Sequence, residues 1–150
     1  MNTTFPGDRK WAALAAIPSL SVLAIARSLT PSVSGVGTHT QLGLEPCIML
    51  SAMGMPCPMC GMTTTFSLMA HYRPVDAFLN QPFGVVLFLI TGVVAVYSLL
   101  EMMNPTRRWW KLYLWISNKD ISVLVAFFLG FIGSWLYKVA WMQKMFSWGP

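Results

Sequence analysis

The sequence predicts an all-α integral membrane protein. Three transmembrane helices are expected, with a short helical or re-entrant cysteine-rich element between the first and the second. Three observations predict this. Apolar residues make up 55% of the chain and charged residues only 10%, against roughly 25% charged in ordinary soluble domains. That is too few charges to cover a globular surface in water. Three stretches approach the about 20 apolar residues that a helix needs to cross the hydrocarbon core. The remaining chemistry is confined to one loop, since every Cys and His lies between His39 and His71. The 150 residues suit a single domain. The net charge of +5 is scattered and forms no basic stripe of the kind nucleic-acid binding needs.

The first span is Trp11–Leu29, after the basic pair Arg9 and Lys10. A basic start, an apolar run and Ala24-Ile25-Ala26 also fit a secretory signal with its cleavage site. Arg27 follows that site at once and favours a retained anchor. The second span is Pro82–Leu100, uncharged and stopped by Glu101 and Pro105. The third is Ile121–Val139, whose one charge, Lys138, lies near the end and is expected to snorkel. Small residues recur at helical spacing: Ala12 and Ala16, then Thr91, Ala95 and Ser98, then Ala126, Gly130 and Ser134. Such stripes let backbones approach closely in lipid and predict a compact bundle. Trp109, Leu112, Tyr113 and Ile116 share one face and predict an interfacial helix over about 106–117. Trp135, Tyr137, Trp141 and Trp148 are expected at the opposite boundary.

Basic residues set orientation. With the N-terminus inside, Arg9, Lys10, Arg107, Arg108, Lys111 and Lys119 are cytoplasmic, and Arg27, Arg73, Lys138 and Lys144 are outside. The cysteine-rich loop, residues 39–73, is then outside.

No charge occurs from Pro46 to Tyr72, and the loop holds Met49, Met53, Met55, Met59, Met62 and Met69. Gly54, Pro56, Pro58 and Gly61 argue against a continuous fourth span. A re-entrant or surface-lying element is expected instead, its broken backbone buried in protein. A short helix should follow the thiols, capped by Thr63, with Phe66 and Met69 on its apolar side. It should stop before Arg73-Pro74. A second begins at Pro74, with Asp76 near its positive end. Cys57 and Cys60 then sit just ahead of a helix N-terminus, a location that lowers a thiol pKa.

The run GLEPCIMLSAMGMPCPMCGMTTTF, with NQP further on, resembles the bacterial membrane family catalogued as domain of unknown function 2752. That family's hallmark is a first cysteine, then Pro-Cys-Pro-Gly-Cys-Gly-x-Thr-Arg, then Asn-Pro near the next span. The matching positions are Cys47, Gly54, Pro56, Cys57, Pro58, Cys60, Gly61 and Thr63, with Asn80 and Pro82 as a looser match. The resemblance covers about residues 41–90. Met59 stands where the family has glycine, and Thr64 where it has arginine. The resemblance implies a multi-pass protein of the bacterial cytoplasmic membrane and supplies no reaction.

Three uses of the thiols follow. The expected one is structural: an accessory component of a membrane assembly, its loop pinned by a disulfide or a metal. One alternative is a metal-binding protein with Cys47, Cys57 and Cys60 as ligands and His39 or His71 as the fourth. C-P-x-C-G resembles a metal-binding knuckle, Cys₃His suits zinc, and the methionines admit copper(I). The other alternative is a membrane thiol–disulfide oxidoreductase. No nucleotide-binding glycine loop, H-E-x-x-H or pair of intramembrane carboxylates points to another enzyme. The expected partners are the bilayer and other membrane subunits or a second copy, with no nucleic acid and no identifiable small-molecule substrate.

Overall fold

The computed structural model describes residues 7–103 and 120–147. The interfacial helix expected over 106–117, and Trp148, lie outside the described residues. The elements are α1 (Gly7–Ser28), a 3₁₀ helix (Thr38–Leu42), α2 (Ile48–Met53), α3 (Met62–Ala70), α4 (Pro74–Asn80), α5 (Pro82–Met103) and α6 (Asp120–Ser147). Among the described residues, three helices are long and apolar enough to cross a membrane, over Arg9–Ser28, Pro82–Met103 and Ile121–Lys144. The helices between the first two have six, nine and seven residues, too short to span.

The bundle exposes large apolar side chains and packs small and polar residues inside, as lipid permits. Leu14, Ile17, Leu89, Val93 and Val96 are exposed, while Ala12, Ala16, Ser19 and Ala26 of α1 and Ala95 and Ser98 of α5 are buried. The α1–α5 pair is the most extensive helix contact, and its small residues are what permits it. The small-residue stripe expected on the third span behaves differently. Ser134 is buried, but Ala126 and Gly130 are exposed. Phe83 is the reason. Its ring packs edge-on against Phe127 at 4.8 Å and Phe131 at 5.3 Å. A Cβ on Gly130 would lie 3.8 Å from that ring, so a side chain fills the space that a second backbone would need.

The end of α1, the start of α5 and the second half of α6 meet at one end of the bundle, and the loop folds there. Ser67 Oγ donates to Leu29 O at the end of α1. The Phe83 amide, an orphan donor of the first turn of α5, donates to Ser134 Oγ at 3.2 Å. Tyr137 Oη donates to Leu79 O at 2.8 Å.

Lys138 does not snorkel. It is 1% exposed, and its Nζ donates to Gly35 O at 3.2 Å and Asn80 Oδ1 at 2.6 Å. The helix α6 continues past it to Ser147.

The helix after the thiols also differs from expectation. Gly61 caps α3 at φ 90°, without a side-chain cap, and Thr63 lies in the first turn. The buried face is Thr64, Thr65, Ser67 and Leu68, while Phe66 and Met69 are half-buried. Hydroxyls in lipid must find partners within the protein, and apolar side chains lose nothing by facing out. The other punctuation is as expected. α3 ends before Arg73-Pro74, Pro74 opens α4 and Pro82 opens α5, and Arg73 Nε donates to Asp76 Oδ2 at 2.8 Å.

Candidate metal centre

The turn Pro56–Gly61 is held at nearly every carbonyl, as a broken backbone beside a membrane requires. Trp135 Nε1 of α6 donates to Pro56 O at 2.9 Å, and Gln81 Nε2 to Pro58 O at 3.2 Å. Within the turn, the Cys60 amide donates to Cys57 O at 2.9 Å and the Met62 amide to Met59 O at 3.1 Å. Gly61 O accepts from the Thr65 amide at 2.8 Å and from Asn80 Nδ2 at 3.1 Å.

This turn folds Cys57 and Cys60 together. Their sulfurs are 3.3 Å apart, and the Cys57 amide donates to Cys60 Sγ at 3.3 Å. Cys47 comes from the N-terminal end of α2. Its sulfur joins the pair, all three lying within 4.8 Å of one another. Zinc–sulfur bonds of about 2.3 Å in a tetrahedron place sulfurs about 3.8 Å apart. The 3.3 Å separation of Cys57 and Cys60 is about 0.5 Å under that value and the others are at most about 1 Å over it, so a shift of less than about 1 Å per sulfur would complete the geometry.

No histidine joins this group among the described residues. His39 lines the same cleft as the cysteines and its Nε2 donates to Glu45 O at 3.1 Å. His71 closes the far end of α3, about 13 Å along the helix at 1.5 Å per residue. Its Nδ1 donates to Ser67 O at 2.8 Å.

The three thiols differ in environment. Burial pushes Cys60 well above its ordinary 9.0, and the Cys57 and Cys47 thiols add to the rise. At Cys47 burial works upward too, but the Leu50 amide and the Cys60 and Cys57 thiols outweigh it and bring Cys47 down to about 7. Cys47 and Cys57 are half-buried, and Cys60 is buried. The cysteines line a cleft of about 450 Å³, whose other walls include Val36, Pro46, Leu50 and Met59.

Behind the thiols is a polar cluster that sequence reasoning missed. Asn80 donates to Gly61 O and, at 2.9 Å, to Thr65 Oγ1, and accepts from Lys138. Thr64 Oγ1 and Thr38 Oγ1 are 2.8 Å apart. Thr64 is fully buried, so the position where the resembling family has arginine is here a packed hydroxyl. The signal for Lys138 was its place in an apolar span, since an ionisable residue there is a functional candidate by default.

Residues 47–95 match the family described as Protein of unknown function (DUF2752), as the cysteine motif led us to expect. No curated protein and no solved structure matches the chain.

Proposed function

We propose that this family segment builds a metal centre at one end of a three-span helical bundle. Cys47, Cys57 and Cys60 bind one zinc ion as thiolates, with the fourth position turned to the apolar cleft. One observation carries the reading: three sulfurs from two separate elements converge within 4.8 Å. The buried Pro56 and the held carbonyls of the turn support it, because a preformed ligand set needs such backing. The centre would clamp the start of α2 to the turn before α3. That fits an accessory membrane component better than an enzyme of any class the sequence calls for. The basic-residue balance supports a location outside the cytoplasmic membrane for this end.

The test is elemental analysis of the full chain purified in detergent, with Cys47→Ser, Cys57→Ser and Cys60→Ser beside it. One zinc per chain, lost in all three variants, is the expected result. One copper per chain would keep the centre and change its ion. A metal-free wild type would overturn the reading.

The 3.3 Å separation of the Cys57 and Cys60 sulfurs favours a second reading. In it, a partner's disulfide oxidises the Cys57 and Cys60 thiols to a bond and leaves as two thiols, and the Cys47 thiolate then attacks that bond, joining one sulfur while the other leaves as thiolate. Thiol labelling of the same preparation with and without reductant separates the two. Three free thiols once metal is chelated exclude the exchange, and a reducible bond in a metal-free protein supports it.

A further inference from the structure

The geometry points to a role for Lys138: it is the built-in counter-cation of the three-thiolate centre, making a divalent soft ion the charge-balanced occupant. This inference rests on the metal reading above. An ammonium buried in a membrane protein is costly unless a charge or a full set of acceptors meets it. Lys138 is 1% exposed, and its hydrogen-bond acceptors, Gly35 O and Asn80 Oδ1, are both neutral. The Trp141 ring lies 4.9 Å from the ammonium. Asp76 pairs with Arg73 at 2.8 Å. What faces the ammonium is the cysteine turn. A Cβ on Gly61, the residue after Cys60, would stand 3.3 Å from Nζ, so the backbone that carries the Cys60 thiol packs directly against the ammonium.

The charges close. Three thiolates, one divalent cation and one ammonium sum to zero, with a neutral fourth ligand from the cleft. A monovalent ion would leave one negative charge buried, and without Lys138 a divalent centre would do the same. The third span is thereby tied to the site. It supplies a fixed positive charge as a positioning residue and makes no bond to the ion.

The test is competition for zinc between the purified full chain and a chromophoric chelator, followed by cobalt(II) spectra of the same proteins. Lys138→Met and Lys138→Gln remove the charge, and Gln keeps N–H donors for Gly35 O and Asn80 Oδ1. Both should still bind one zinc, about tenfold to a hundredfold more weakly, the usual cost of losing a partner outside the ligand shell. Lys138→Arg should keep most of the wild-type affinity. The sulfur-to-cobalt charge-transfer band should move to lower energy in the two neutral variants and stay in place in Lys138→Arg, because a nearby cation stabilises the thiolate lone pairs. Wild-type affinity and an unmoved band in Lys138→Gln would overturn the inference and leave the centre standing; should Lys138→Met fail to fold, Lys138→Gln carries the test. A wild type that takes up neither zinc nor cobalt would overturn both.

Discussion

Lys138 Nζ stands 2.6 Å from Asn80 Oδ1, joining the last span to the end of α4 across 58 residues of sequence. Asn80 thereby uses its whole amide, since Nδ2 also donates to Gly61 O and Thr65 Oγ1. Replacing it by alanine would take the Asn80 donor from the Thr65 hydroxyl and leave the Lys138 ammonium with Gly35 O, while Gly61 O keeps the Thr65 amide. A buried group that loses its partner costs about 1–3 kcal/mol, so Asn80→Ala should lose about 2 kcal/mol. Thermal unfolding in detergent is the measurement. A variant that melts at the wild-type temperature would show that Asn80 is not the hub described.

Gly61 offers a prediction with its own control. At φ 90° an alanine would be strained, and its Cβ would lie 2.8 Å from Gly35 O, a backbone atom. Gly54 shares the left-handed backbone at φ 65°, but a Cβ there meets nothing within 4 Å. Gly54→Ala should therefore cost only the left-handed penalty, about 1–2 kcal/mol. Gly61→Ala should cost well beyond that and also loosen the cysteine turn. Equal melting temperatures for the two variants would contradict the close packing of Gly61 on Gly35.

The parts that were legible in the sequence are those set by local chemistry. Uncharged runs gave the spans, Pro74 and Pro82 opened helices where proline is tolerated, and the C-x-x-C spacing brought Cys57 and Cys60 together. The parts that were not legible depend on distant partners or on the solvent. Lys138 looks like a snorkelling residue until Gly35, 103 residues away, is seen to accept from it. The face of α3 was misjudged because burying the apolar side is a rule for water. In lipid the hydroxyls of Thr64, Thr65 and Ser67 turn inward. Gly61 caps the helix because its left-handed backbone turns the chain, a role that Thr63 seemed better suited to by composition.

Thr64 tests the departure from the family pattern. Its hydroxyl meets Thr38 Oγ1, which also accepts from the Ser32 amide at 3.0 Å. Thr64→Val keeps the shape and removes one hydrogen bond, while Thr38 retains a partner. The cost should be about 1 kcal/mol. Thr64→Arg restores the family's usual residue but places a guanidinium in a fully buried position beside Lys138's cluster. It should abolish accumulation of folded protein, scored by size-exclusion of a fluorescent fusion. A monodisperse Thr64→Arg protein would mean that α3 can rotate or shift to expose this position.

The cysteines should separate by reactivity in the reduced, metal-free protein. Thiolate is the species that alkylates. Cys47, lowered to about 7 by the Leu50 amide and its thiol neighbours against the effect of burial, gains thiolate as pH rises through 7 and has gained nearly all of it by pH 8. Its alkylation rate should therefore rise up to that point and then level off, where a thiol at the ordinary 9.0 would still be accelerating. Cys60 has the opposite sign, since burial holds it in the neutral form, and it should be modified slowly throughout. Mass spectrometry after timed maleimide pulses would follow each site. Adding zinc should protect all three together, because one ion would occupy every sulfur. Protection of Cys57 and Cys60 alone would exclude Cys47 from the ligand set, and a Cys47 profile that keeps climbing above pH 8 would contradict the environment described for it.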